Sequence, residues 1–316
     1  MTTYREAGVS LAKAEEVVER LRAAVESTRT DAVVGDLGGF AGLFALDGER
    51  LLAATTDGVG TKLVLSRRAG RLFDAGIDLA AHCANDLATT GAEPLFFLDY
   101  AAAGSLDLGE VADLVAGAAS VCREVGCAIL GGETAELPGI YREGELDFAG
   151  TMVGLVRSAE LVDGRRCEPG DVVLGLPSAG LHANGFTLVR RLLGDEGFDP
   201  DLLLPPTRLY LDDVRRLREA CDVRALAHVT GGGIPANLAR VLPAGVGAVV
   251  DPGAWERPPV YAWLDERGVP EEEQRRVFNL GIGYCAVVPA AEAERTGLPV
   301  IGKLEAGVAG VAWADA

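Results

Sequence analysis

The segment that most constrains this chain is a strand-length apolar run, Leu51–Thr55, that leads without a spacer into Thr56-Asp57-Gly58-Val59-Gly60-Thr61-Lys62. A strand of this kind must bury at least one face, so the polar residues that follow are fixed at the end of a sheet. The pattern recurs. Leu95–Ala101, Cys127–Leu130 and Phe148–Val156 are further strand-length runs, and Asp78–Thr90 and Asp107–Val125 between them have helical spacing. Near the N-terminus Leu11, Ala14, Val18, Leu21 and Val25 recur every three or four residues after a capping residue, Ser10, which predicts a packed amphipathic helix.

The turn-rich stretch Asp163–Asp171, with Pro169-Gly170, interrupts this alternation and places a domain boundary near residue 160. Beyond it the spacing predicts strands at Val172–Leu176, Val246–Val250, Gly281–Val288 and Val300–Leu304. Helices are expected near Gly185–Leu193 and Thr207–Ala220. The expectation is therefore two α/β or α+β domains, residues 1–160 and 161–316. Neither contains the strand, G-x-G-x-x-G, helix order of a dinucleotide fold or a G-x-x-x-x-G-K-[ST] loop.

With 316 residues, 49% of them apolar, each half can bury a core, and no apolar run is long enough to span a membrane. The six cysteines lack C-x-x-C spacing and read as buried free thiols of a cytoplasmic protein. A net charge of −18 disfavours nucleic acid and anionic membranes as partners. A phosphorylated ligand would need local backbone donors, a few cations or a metal. Lysine occurs only at 13, 62 and 303, which makes a lysine inside a glycine-rich motif conspicuous.

In the first such motif the backbone N–H groups of Gly58, Gly60 and Thr61 can face an anion. Lys62 supplies charge and Asp57 can hold Mg²⁺ against a phosphate. The alternative is a tight turn with Lys62 at the surface. His82, Asn85 and Asp86 share one helix face, either as a metal carboxylate with an orienting amide or as an internal hydrogen-bond cluster. Glu133 and Glu136 follow Gly131-Gly132 on an expected loop, so Asp57, Asp86, Glu133 and Glu136 together suit Mg²⁺ bridging nucleotide phosphates. Three more glycine loops could hold phosphate: Gly35–Phe40 with Gly38 and Gly39, Ser178–Gly185 with His182 and Asn184, and His228–Gly233 with Thr230, Gly231 and Gly232. His182 could donate to a phosphate or carry a proton, although a lone histidine is often structural.

In order, Tyr4–Val9, Asp57–Lys62, Asn85-Asp86-Leu87, Gly91–Tyr100, Gly131–Gly139, His182–Gly185, Pro206-Thr207-Arg208, His228–Gly233 and Phe278-Asn279 resemble the aminoimidazole ribonucleotide synthetase (phosphoribosylformylglycinamidine cyclo-ligase) family along nearly the whole chain. The resemblance implies ATP-dependent closure of formylglycinamidine ribonucleotide to aminoimidazole ribonucleotide in purine synthesis, with Mg²⁺ and K⁺. It also implies a cytoplasmic homodimer whose N-terminal sheets share a barrel flanked by C-terminal α/β domains. Lys62, His182, Asp57 and Asp86 would then be catalytic. Arg22, Ser10 and Asp36 depart from the residues usual in that family. Thiamine-monophosphate kinase, selenophosphate synthetase or a non-catalytic nucleotide-binding regulator on the same scaffold are the alternatives.

Overall fold

A computed structural model describes residues 3–314, apart from the side chains at 11, 12, 14 and 15. The N-terminal sheet has six strands: β1 (Val33–Val34), β2 (Gly42–Ala45), β3 (Arg50–Gly58), β4 (Glu93–Ala103), β5 (Ala128–Glu136) and β6 (Leu146–Arg157), ordered β1-β2-β3-β6-β4-β5. The second, ordered β12-β9-β11-β7-β10-β8, has β7 (Val172–Pro177), β8 (Ala225–His228), β9 (Val246–Val250), β10 (Ile282–Val288), β11 (Val300–Ala306) and β12 (Val311–Trp313). Each sheet is antiparallel except for one parallel pair, β4 with β5 and β12 with β9. The helix between β4 and β5 provides the crossover that their parallel pairing requires.

The first eight α-helices in chain order are α1 (Leu11–Glu26), α2 (Lys62–Arg68), α3 (Leu72–Ala88), α4 (Leu108–Val125), α5 (Phe186–Leu193), α6 (Pro200–Leu203), α7 (Leu211–Ala220) and α8 (Gly233–Ala239). Strand β6 alternates strictly, and Phe148, Gly150, Met152, Gly154 and Val156 are its buried positions. These residues face α3 and α4, because a period of two commits alternate residues to one side. The opposite face is uncovered and leaves Leu95, Leu98, Tyr100 and Leu130 exposed.

Helix α3 is buried on nearly every side because it lies between the two sheets. Its alanines and leucines belong to one core that also contains Phe97 and Met152 of the first sheet and Leu174, Leu176 and Tyr284 of the second. A helix in that position can keep polar residues only if each finds a partner. Asp78 is fully buried and accepts from the Thr207 N–H at 2.8 Å and the Thr207 hydroxyl at 2.7 Å. About two turns later, Asn85 donates to the Arg208 carbonyl at 2.9 Å and accepts from the Tyr210 N–H at 2.8 Å. The Tyr284 hydroxyl donates to the Asn85 carbonyl at 3.1 Å.

Two expectations are corrected here. Lys62 is the first residue of α2 and lies in the core instead of ending a phosphate loop. Its ammonium sits 2.9 and 2.7 Å from the two Asp78 oxygens and donates to the Pro205 carbonyl at 2.9 Å, with no exposed surface. Helix α1 forms and is capped by Ser10, but Val18, Leu21 and Val25 are exposed, so the expected packing face has no cover among the described residues. The side chains of Leu11 and Ala14 lie outside the described residues. Pairs such as Glu16 with Arg20 and Glu19 with Arg22 line the helix surface, and they engage Arg22 locally.

Breaking a buried ion pair on one side leaves an uncompensated charge, which typically costs about 3–5 kcal/mol. Lys62→Ala is therefore expected to lose stability of that order in urea denaturation, and Lys62→Met with Asp78→Leu to recover much of it. An alanine variant as stable as the parent would show that Lys62 does not have this structural role.

Candidate active site

The site is built where the two halves meet, and each half supplies a wall. From the first, β3 ends at Asp57 and α3 presents His82 and Asp86. From the second, β8 ends at His228, which opens the loop to α8, and the segment between β7 and α5 carries His182 and Asn184. All three histidines of the chain gather here, with relative exposures of 3%, 1% and 0% for His82, His182 and His228. Histidines this buried need defined partners.

Two of them have carboxylate partners, one within the first domain and one across the crevice. His82 Nδ1 lies 3.2 Å from Asp57 Oδ2, and His228 Nδ1 lies 2.9 Å from Asp86 Oδ1. The two imidazoles meet edge to face with centroids 4.9 Å apart. Asp57 also accepts from the Gly58 N–H at 2.7 Å. The single hydroxyl proton of Thr55 is shared between two acceptors, the Phe40 carbonyl at 3.0 Å and Asp86 Oδ2 at 3.3 Å. Thr55 and Asp57 point to the same side of β3, so both carboxylates address one region at the strand's end. Tyr284 and Tyr210 extend the aromatic contacts from His228 to His182.

Each carboxylate-paired imidazole presents its other nitrogen without a protein partner: His82 Nε2 and His228 Nε2 are buried and unbonded. His182 has neither nitrogen bonded, and Asn184 Nδ2 is also free. His182 adopts φ 57°, a left-handed conformation that a histidine holds only under local constraint. Such unsatisfied groups in a crevice are what a bound ligand would satisfy.

The electrostatics separate the three rings. Burial opposes charge on His82, but the hydrogen bond and charge of Asp57, with Asp78 and Asp86 beyond, raise its pKa above the ordinary histidine value. Burial also disfavours the Asp57 carboxylate, and His82 more than offsets this and lowers the Asp57 pKa. Burial lowers the pKa of His228 despite Asp86. His182 is pushed well below the ordinary value by burial and by the positive potential of His228, His82, Lys62 and Arg208. His82 therefore takes a proton more readily than an ordinary histidine, and His182 much less readily.

The glycine loops are fixed by the second domain. Arg240 donates to the Gly38 and Gly39 carbonyls at 3.0 and 2.9 Å, and its guanidinium lies over the Phe40 ring. A cleft of about 380 Å³ opens beside Gly38, Gly39, Thr89 and Arg240. The amide of Asn237 bonds the carbonyls of Thr230, Gly231 and Gly233, and the Thr230 hydroxyl lies 3.2 Å from Asn237 Oδ1, so the loop containing Gly232 is stitched to α8. Gly58 and Gly60 flank the buried Val59, and the Thr61 hydroxyl meets that of Thr187 on α5 at 2.9 Å.

The expected four-carboxylate set does not form, and no group of three or more His, Cys, Asp or Glu positioned to hold a metal occurs among the described residues. Gly131–Glu136 is the body of β5 and not a loop. In cross-strand register Asp57 aligns with Gly150, Asp99 and Gly132, whereas Glu133 aligns with Tyr100, Ala149 and Gly58. Glu133 therefore projects from the opposite face, three strands away, or about 14 Å by ordinary inter-strand spacing. Glu136 lies farther along this edge strand and accepts from the Leu106 N–H. Asn85, expected at a phosphate, has both ends of its amide engaged as described above. Asp57, Asp86, His182 and Asn184 do converge, and His228, which the sequence marks only as the start of a glycine loop, joins them.

Among known proteins, residues 38–156 match the family model "AIR synthase related protein, N-terminal domain" and residues 168–313 match "AIR synthase related protein, C-terminal domain". The chain is 47% identical over 304 residues to a phosphoribosylformylglycinamidine cyclo-ligase from Synechococcus sp. (strain CC9605), covering 91% of this chain and 88% of that protein. It is 48% identical over 312 residues to one from Sorangium cellulosum (strain So ce56), covering 93% and 90%. Among solved structures, AaThiL complexed with AMPPCP and TMP has the same fold, with TM-score 0.67 and 16% identity over 96% of this chain and 95% of that one.

Because His182 and His228 have lowered pKa values when folded, the unfolded chain binds more protons below the ordinary histidine value, and folding stability falls as pH falls. His182→Asn keeps a residue tolerant of positive φ. It should reduce the stability lost between pH 7.5 and 5.5 by about 1.4 kcal/mol, read from paired urea titrations. An unchanged pH slope would mean that His182 is not held neutral.

Proposed function

The chain belongs to the phosphoribosylformylglycinamidine cyclo-ligase family, and from that premise we propose that the interdomain crevice carries out the ring closure. The enzyme is an ATP-dependent C–N ring-forming ligase of purine biosynthesis. It converts formylglycinamidine ribonucleotide and ATP to aminoimidazole ribonucleotide, ADP and phosphate. The observation that carries the site assignment is the convergence of two histidine-braced carboxylates from one domain with unbonded donors from the other.

In this reading the γ-phosphoryl group of ATP passes to the formyl amide oxygen, which makes a poor electrophile into an iminophosphate. An amidine-side nitrogen then attacks the carbon and phosphate departs with the oxygen. Most of the catalytic requirement is alignment and charge compensation. Neutral His182 and Asn184 Nδ2 supply donors to phosphate oxygens, as does His82 Nε2 when that ring is charged, while neutral His228, with Nδ1–H given to Asp86, offers Nε2 as an acceptor. Thr230, Gly231 and Gly232 complete that wall.

Asp57 and Asp86 are suited to hold Mg²⁺, since each has one oxygen braced by histidine and Mg²⁺ is commonly bound by one or two carboxylates together with phosphates and waters. When bound, the ion would neutralise charge on the transferring phosphoryl group. K⁺ enters the proposal from the family resemblance alone, as does a cytoplasmic location. No helix among the described residues is long and apolar enough to cross a membrane.

A homodimer is also proposed. The uncovered sheet face with Leu95, Leu98, Tyr100 and Leu130, together with the open edge of β5, is the surface that a second N-terminal sheet would close into a barrel. Light scattering should give twice the chain mass, and Leu98→Glu should give a single chain. A monomeric parent protein would remove the shared barrel.

The purified enzyme should form ADP and aminoimidazole ribonucleotide one to one, and Asp57→Asn and Asp86→Asn should each reduce turnover at least 100-fold without loss of fold. Substrate-independent ATP hydrolysis, or full activity in either variant, would overturn the corresponding part of this assignment.

A further inference from the structure

A second site faces the outer side of α2 and α5. There two adjoining depressions, of about 350 and 770 Å³, share Val64, Arg68 and Arg190. The smaller is also bordered by Arg191 and Thr187, and its lining contains three arginines and no carboxylate. In a chain of net charge −18 this is a local inversion of potential. Elsewhere arginines commonly meet a carboxylate, as Arg71, Arg215 and Arg224 do. These three do not. Arg68 donates only to the carbonyls of Asp195 and Glu196, at 3.1 and 2.7 Å. Arg191 donates to the Glu6 carbonyl at 2.5 Å, and the Glu6 carboxylate is turned to Thr3. Arg190 has no hydrogen-bond or ion-pair partner among the described residues.

All three lie in or next to the last turns of their helices, where the macrodipole favours cations. That effect accounts for basic residues at each terminus, but not for the convergence of two termini on one acid-free depression. Carbonyl contacts orient a guanidinium without neutralising it, so a strong anion is the missing partner. The larger depression runs along Gly60 and Thr61, and Thr61 joins Thr187 through their hydroxyls. The larger depression is itself lined by Glu110, Glu145 and Asp147, so the anion belongs to the smaller one, which adjoins it through Val64, Arg68 and Arg190, and Thr61 follows Asp57 by four residues.

We infer that this depression is a phosphate-monoester subsite, in which Arg190 and Arg68 hold the 5′-phosphate of the ribonucleotide substrate while the reacting end extends toward Asp57. The inference rests on the proposed cyclo-ligase reading and names the anchor of its substrate. No bond is made or broken at this subsite, and the arginines act by binding alone.

The test is Arg190→Gln, with Arg68→Gln as a second variant and thermal melting as the check on fold. KM for formylglycinamidine ribonucleotide should rise about 10- to 100-fold, the loss expected for a charge-assisted contact, while KM for ATP stays within about twofold. A rise in KM for ATP instead would assign the subsite to the nucleotide and overturn the inference, as would no change in either. Calorimetry with ribose 5-phosphate separates this result from the catalytic reading. The parent protein should bind it, with competition by inorganic phosphate, and Arg190→Gln should bind it at least 10-fold more weakly. Arginine-dependent binding in a protein without cyclo-ligase activity would sink the catalytic reading and leave a phosphate-monoester site. An active enzyme whose Arg190→Gln variant binds ribose 5-phosphate as well as the parent would sink the subsite alone.

Discussion

The buried carboxylate of Asp78 is the constraint on which the rest of the arrangement depends. A charge with no exposed surface must be met by a cation and by hydrogen-bond donors, and Asp78 obtains these as three groups from two places in the chain: Lys62 on α2 and the backbone and side chain of Thr207. Satisfying it fixes α2 against α3 and ties the second domain's 205–210 segment to both. Asp57 lies just before α2, and His82 and Asp86 follow Asp78 by one and two turns of α3. One electrostatic requirement in the core thereby sets the position of both site carboxylates relative to the second domain. Asn85, through its bonds to Arg208 and Tyr210, fixes the rotation of α3 at the end where the site is formed.

The site's polarity follows from how its histidines are shared between the domains. Each paired histidine gives Nδ1 to a carboxylate, which orients the ring and leaves Nε2 toward the crevice. With rings 4.9 Å apart, charging one disfavours charging the other. His82 has the better placed set of carboxylates and its pKa is raised, whereas burial lowers those of His228 and His182; neutral His228 gives its one N–H to Asp86 and offers Nε2 as an acceptor, and His182 is left as the neutral ring with both nitrogens unbonded. The cost of leaving such nitrogens unbonded and buried is consistent with a crevice built for an occupant.

Long, strictly patterned elements were legible in the sequence, and short ones were not. Strand β6 alternates over its whole length and α3 carries apolar residues on several faces, so both were visible as periodicity. Strands β1, β2, β8 and β12 span only two to four residues and have no period to detect; they exist because longer neighbours offer an edge. The family of residues at the site was legible through the glycine loops, but their partners were not. Glu133 and Glu136 looked equivalent because glycines precede them, and only register shows that one lies on the wrong face. The rarity of lysine marked Lys62 correctly as exceptional. That rarity pointed to a phosphate, although burial opposite Asp78 accounts equally well for retaining a compact, three-donor cation. His228 gained its significance only from Asp86, which is 142 residues earlier in the chain.

A strongly acidic enzyme that handles two phosphorylated substrates must solve capture locally, since screening confines each charge to about 8–10 Å at physiological ionic strength. The overall field of this chain repels its ligands. Surface arginines paired with carboxylates do nothing to reverse that field, and Lys62 is already committed to Asp78. What remains are neutral donors in the crevice, aspartates able to recruit a divalent cation, and the few guanidiniums oriented by carbonyls instead of acids. Binding sites on such a protein should therefore be sought where the ordinary pairing of charges is withheld.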